Sequence, residues 1–239
     1  MFVAAQTSNA NYFKAKPAVQ HTTPQQKALD GLPDPILKEA INAYRWAWDH
    51  HEIHNPYMLT IVDFNKPSYE KRMWVIDLRN NHVIFDMHVA QGRASGKIYA
   101  TRFSNQFNSH ESSLGIFTTV GSEFYGEFGK SIHLTGLEPG INNNAYKRGI
   151  LVHSEWYVTP SYIDQMGRAG RTWGCFAVNP DHIDRVIELT QDGSVLFAYA
   201  TPEKNDPLVD HRLSYDGRTM YEKILGINSN PVVRFFEAL

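Results

Sequence analysis

A cysteine can carry out acyl transfer when one group takes its proton and others hold the oxyanion that forms on the carbonyl it attacks. The 239-residue chain has one cysteine, Cys175, in the stretch GRTWGCFAV (170–178), and 11 histidines. One of these, His153, ends the apolar run GILVH (149–153). A strand, a helix and a loop between them can bring imidazole and thiol back together, and a histidine in hydrogen-bond reach makes thiolate. Gly174 precedes Cys175 and permits the tight turn at which backbone N–H groups face an oxyanion. From the residues alone, Cys175 is either a nucleophile or a small buried hydrophobe. As a nucleophile it requires His153 close by and partly open to solvent.

Other residues carry their own pairs of readings. Arg168 and Arg171 flank the Cys175 loop and either bind carboxylates or form surface ion pairs. Tyr157 lines a cleft or packs in the core. The SHESS segment (109–113) offers hydroxyls to a ligand or bonds within its own loop. HHEIH (50–54) lacks the second histidine of a zinc-protease helix, because position 55 is Asn, so it reads as a solvated helix end and no metal site is assigned. His88 and His133 read as satisfied structural groups in strands.

These side chains need a scaffold. PDPILKEAINAYRWAWDHHE reads as a helix capped by Asp34, with Pro35 in its first turn and Ile36, Leu37, Ala40, Ile41, Tyr44 and Trp48 on one face. The period then changes to two. YMLTIVDFN and RMWVIDL read as strands, RNN (79–81) as a turn, and HVIFDMHVA as a strand with Val83, Phe85, Met87 and Val89 on one face. A long loop covers 91–112, with strands at 114–120, 131–136, 149–153 and 194–200 and helices at 160–167 and 180–190. The tail is polar after Pro202, then apolar at YEKILGI and VVRFF. The fold class is mainly β with flanking helices. Residues 1–30 read as a flexible leader or linker, 31–55 as an N-terminal helix packed on the domain, and 56–239 as the main domain with a C-terminal extension.

Composition narrows the function. Lys plus Arg total 23 against 25 Asp plus Glu, so no basic surplus points to nucleic acid or an anionic membrane. A single cysteine excludes an internal disulfide and a Cys-rich zinc site. No apolar run is long enough to span a bilayer, and the first residues make a poor signal peptide.

His153-Ser154, followed by RTWGCFAV, resembles the signature of the L,D-transpeptidase catalytic domain (YkuD-like) family: His with Gly or Ser, an insert, then Ser/Thr-His-Gly-Cys. Thr172, Gly174 and Cys175 match, and Trp173 stands where His is usual. One branch, with Trp before Gly-Cys, resembles the chain in PSYEKRMWVIDL, VAQGRASGKIYATRFSN, SHESSLGIFTT, IHLTGLEPGINNNAYKRGILVH and GRAGRTWGC, in that order, from about Leu59 to Val178. The chain departs from common members at Ala177, where they carry Arg, at Phe176, where the branch tends to Pro, and at Ser154, where many have Gly.

The resemblance implies a YkuD-like mixed β-sandwich and a cofactor-free peptidoglycan L,D-transpeptidase of the periplasm or cell wall. Cys175 would attack the bond between the diamino acid and D-Ala of a stem tetrapeptide. His153 would move the proton, and the Ser154 carbonyl would orient its ring. The Gly174 and Cys175 N–H groups would form the oxyanion hole. Arg168, Arg171, Trp173 and Tyr157 are the substrate-binding candidates. The alternatives are a thiol L,D-carboxypeptidase on the same scaffold and a non-catalytic cell-wall binding protein.

Overall fold

The computed structural model describes residues 31–201 and 213–226. The leader at 1–30, the start of the polar tail after Pro202 and the VVRFF stretch lie outside these residues. The chain runs through helix α1 (Asp34–Asp49), strands β1 (Met58–Asp63), β2 (Met73–Asp77), β3 (His82–Met87), β4 (Gln91–Gly92), β5 (Gly115–Gly126), β6 (Gly129–Gly136) and β7 (Leu151–Ser154), then a 3-10 turn (Trp156–Val158) and helix α2 (Pro160–Met166). Strands β8 (Arg171–Thr172) and β9 (Phe176–Val178), helix α3 (Pro180–Thr190), strand β10 (Val195–Tyr199) and helix α4 (Tyr215–Leu225) follow.

Eight strands make one mixed sheet in the order β3-β2-β1-β10-β5-β6-β7-β9, and β4 pairs with β8 separately. The β1–β10 and β7–β9 pairs are parallel and their neighbours antiparallel. Alternation along the central strands feeds two cores. Leu59, Ile61, Trp74, Ile76, Val195 and Phe197 join the core under α1, whereas Met58, Val62, Met73, Val75, Leu196 and Ala198 join the other. That second core also takes Val152 and Phe176 from the far edge of the sheet. The Phe176 ring lies 5.9 Å from Phe64, just past β1, and 5.7 Å from Phe117 on β5. The sheet thus closes over this core, giving the mainly β, sandwich-like architecture with flanking helices. Burying each such large side chain contributes about 1.5–3 kcal/mol.

Local signals end the helices near the site. Thr159 caps α2 and Pro160 opens it, and Gly167, at φ 66°, stops it. The Asn179 side chain accepts the Asp181 N–H at 3.1 Å to cap α3, with Pro180 next.

Three expectations are corrected, on the cap of α1, on Trp48 and on Val83. The cap of α1 is Pro33; Asp34 sits in the first turn, where it pairs with Lys38 at 2.7 Å and favours the helix dipole. Trp48 is 45% exposed, because it lies at the solvent edge of the buried stripe. Val83 faces the α1 core while Phe85, Met87 and Val89 face the other, because a bulge between Val75 and Ile76 in the β2–β3 register inverts the alternation at Ile84. YEKILGI lies largely within α4, whose Asp216 pairs with Arg45 at 3.3 Å and whose Tyr221 bonds Asp34 of α1.

Candidate active site

The β7–β9 pair places His153 on the strand next to the one that Cys175 leads into. Val152 pairs with Phe176 and His153 with Ala177 in a parallel register. Val152 and Phe176 enter the core, so alternation turns His153, Ala177 and Cys175 to the opposite face. Cys175 stands just ahead of β9 and its thiol donates to Gly149 O at 3.5 Å, not to the imidazole. His153 Nδ1 lies 3.1 Å from Ser154 O. A carbonyl only accepts, so Nδ1 carries the proton and Nε2 is the free acceptor. Glu155 Oε1 lies 3.9 Å from the same Nδ1.

Both groups are buried, at 2% exposure for His153 and 8% for Cys175, which corrects the expectation of a solvent-open histidine. Phe128, at the tip of the β5–β6 hairpin, covers the imidazole, its ring centre 4.7 Å from the His153 ring. Burial lowers the His153 pKa, opposed by the bond to Ser154, and holds the ring neutral. Burial pushes the Cys175 thiol up to about 11, opposed by the N–H groups of Leu151 and Cys175 and by the charge of Arg148. The resting pair is therefore thiol and neutral imidazole.

The turn before the thiol depends on glycine. Gly174 has φ 125°, and a Cβ there would sit 2.9 Å from Glu111 O and 3.3 Å from Arg148 Nη2. The Gly174 N–H, expected to face an oxyanion, donates to Thr172 Oγ1 at 3.1 Å, and that hydroxyl donates to Cys175 O at 2.8 Å. Thr172 thus ties the turn closed. Arg148 reaches the same turn from the segment before β7.

Beside the turn lies a groove of about 300 Å³ lined by Arg93, Trp156, Tyr157, Tyr162, Arg168, Gly170, Arg171 and Trp173. It gathers all four residues named from the sequence as substrate-binding candidates. Its guanidinium groups bond acceptors other than carboxylates: Arg168 reaches Ala169 O at 2.8 Å, Arg171 reaches Arg93 O at 3.1 Å, and Arg93 reaches His110 Nδ1 at 2.8 Å. Trp173, 67% exposed, packs against both the His110 ring, at 5.0 Å, and the Arg93 guanidinium, at 5.5 Å. A groove with this charge and these faces suits a ligand with carboxylates and apolar stems.

The other candidates do not present free ligand groups. The SHESS hydroxyls are taken within the protein: Ser112 Oγ accepts from Gly92, Ser113 Oγ donates to Ser104 O, Ser109 Oγ accepts from Glu111, and Ser109 and Ser113 also accept from Arg148 beside the thiol turn. In HHEIH, His50 stacks on Trp46 and its Nδ1 contacts Trp46 O. His88 Nε2 contacts Tyr69 O. His133 lies between Phe124 and Tyr146, and its buried Nδ1 has no partner, so it is not the satisfied group expected. Sequence reading missed Arg93, Arg148, Trp156, Tyr162 and Phe128. Tyr162 reaches the groove from helix α2, and the others through a turn or a hairpin tip, which leaves no periodic signal.

A model of the L,D-transpeptidase catalytic domain family matches residues 29–199, and the chain belongs to that family. Among solved structures, it is similar to an L,D-transpeptidase from Mycobacterium smegmatis at 15% identity and TM-score 0.37, covering 60% of this chain and 59% of that one. The match thus spans less than two thirds of that relative. Another similar structure is an L,D-transpeptidase (residues 123–326) from Xylanimonas cellulosilytica, at 11% identity and TM-score 0.32, covering 68% of this chain and 79% of that one. A comparison with curated proteins returned no match.

Proposed function

We propose that the protein is a cysteine-dependent peptidoglycan L,D-transpeptidase working in the periplasm or cell wall. The observation that carries this reading is the His153 tautomer: Nδ1 is committed to Ser154 O at 3.1 Å, leaving Nε2 to take a proton on the face shared with the only cysteine. Family membership supplies the reaction class.

In the reaction, the Cys175 sulfur attacks the carbonyl joining the diamino acid to the terminal D-Ala of a stem tetrapeptide. His153 Nε2 takes the thiol proton and returns it to the departing D-Ala amine, leaving a thioester. The imidazolium formed on the way is balanced by Ser154 O and by Glu155, 3.9 Å from Nδ1. The Cys175 N–H serves the oxyanion, joined by the Gly174 N–H once it exchanges its bond to Thr172. The amine of a second stem then attacks the thioester, regenerates the thiol and makes a 3→3 cross-link. Arg168 and Arg171 hold stem carboxylates, and Trp173 and Tyr157 pack against its apolar parts.

The test is to incubate the protein with a stem tetrapeptide and follow products by mass spectrometry. Released D-Ala together with a cross-linked dimer supports the transpeptidase. D-Ala without dimer assigns an L,D-carboxypeptidase. Neither product from folded protein overturns catalysis and leaves cell-wall binding.

A further inference from the structure

We propose that Arg148 is the fixed cation that stabilises the negative charge developing at Cys175. The inference rests on the reading of Cys175 as nucleophile.

A cation withdrawn from water normally finds a carboxylate. Arg148, half-buried behind the thiol turn, does not. Its guanidinium donates to Ser104 O at 2.6 Å, Ser113 Oγ at 2.5 Å, Ser109 Oγ at 3.1 Å and Glu111 O at 2.7 Å. All of these are neutral oxygens. The nearby carboxylate of Glu111 is taken by Arg102 at 3.3 Å. The charge of Arg148 is thus held in place by neutral oxygens and makes no direct ion pair, the Glu111 carboxylate acting on it only through space.

The open side of that charge faces the turn. Nη2 is 3.3 Å from where a Cβ on Gly174 would be, so glycine lets the guanidinium close up to the residue preceding the nucleophile. A cation cannot come from the strand beyond, since Ala177 is fully buried in a small cluster with Ala90 and Val158. The other titratable groups around the thiol and its cation are His153 on β7, Tyr157 on the 3-10 turn, Glu155 behind His153, and Glu111, whose carboxylate acts on Arg148. Each is neutral or acidic at rest. Arg148 and the thiol also act on each other in the required sense: the cation favours thiolate, and thiolate favours the cation. Because its bonds are already made, Arg148 needs no reorganisation when charge appears on sulfur. It positions charge and is not a proton donor.

Arg148 also anchors the 104–113 loop, so the test must separate charge from structure. The two roles move the thiol in opposite directions. Loss of a cation makes thiolate scarcer. Loss of a structural clamp wets the buried thiol and makes thiolate more abundant. The readout is the rate at which iodoacetamide alkylates Cys175, the sole cysteine, followed by intact mass between pH 6 and pH 10. Below the thiol midpoint this rate tracks the thiolate fraction. Arg148→Met should slow alkylation at pH 8 about tenfold, corresponding to a shift of about one pH unit in the midpoint. Arg148→Lys should retain most of the parental rate. The double change Ser109→Ala/Ser113→Ala, which removes loop bonds but keeps the charge, should leave the rate unchanged or raise it. An unchanged or faster rate in Arg148→Met overturns the proposal. If Arg148→Met does not fold, Arg148→Lys decides: a rate at or slightly below the parent supports the charge, and a clear increase overturns it. Failure of the transpeptidase reading shows separately, as a parent protein that never turns over a stem peptide.

Discussion

His153 Nδ1 lies 3.1 Å from the carbonyl oxygen of Ser154, the next residue in its own chain. The ring is thereby oriented by backbone, and a residue with any side chain at 154 can supply the contact. This accounts for Ser where many relatives of this branch have Gly. Replacing Ser154 by Gly or Ala should preserve most of the acylation rate, within about threefold, because the carbonyl remains. A loss of a hundredfold or more in a folded Ser154→Ala protein would assign the hydroxyl a role the geometry does not give it.

Burial holds the His153 pKa below its ordinary value of 6.5, and burial acts in the same direction on His88 and His133. A histidine that resists protonation in the fold binds fewer protons than in the unfolded chain. Stability should therefore be full above about pH 6.5 and decline as the pH falls through the lowered folded values. Urea midpoints between pH 8 and pH 5 check this, and His153→Gln should flatten part of the decline. A midpoint that rises on acidification would contradict the burial argument.

Phe176 follows Cys175 where the resembled branch tends to have Pro, and the structure explains the aromatic ring. It is fully buried between Phe64 and Phe117, closing the core beneath the site. Phe176→Ala should cost about 3–5 kcal/mol, read as a shift of the denaturation midpoint. A loss below about 1 kcal/mol would show that the ring is not central to the core.

The groove makes a kinetic prediction. Arg168→Ala and Arg171→Ala should each raise KM for a stem peptide about three- to tenfold, with kcat nearly unchanged, since solvent screens charges at an open groove. Amidation of the peptide carboxylates should reproduce the loss in the parent protein. A fall in kcat at constant KM would move these arginines into the chemistry.

Much of this was readable from residue order. Period-two alternation located β1 and β2, the apolar run SVLFAYA located β10, and Pro180 with Asp181 marked the start of α3. His153, Cys175 and Gly174 stood out as candidates, though the residues alone left Cys175 as either a nucleophile or a buried hydrophobe and only the family resemblance favoured the first. Alternation failed at Val83, because a bulge is decided by cross-strand pairing and not by local pattern. Arg148 and Phe128 stayed hidden for a related reason. Their parts depend on where a turn and a hairpin tip come to rest, and those contacts join residues distant in sequence. The engagement of the Gly174 N–H by Thr172 was likewise invisible, since it depends on a hydroxyl direction set by the turn itself.

The central claim is that Cys175 is an activated nucleophile served by His153. The direct measurement is the intact mass of the protein after exposure to a carbapenem, which acylates the catalytic thiol in this family, alongside Cys175→Ala and His153→Ala. The account predicts one adduct on the parent, none on Cys175→Ala, and formation slowed about a hundredfold or more in His153→Ala. No adduct on folded parent protein, or equal rates with and without His153, would contradict it.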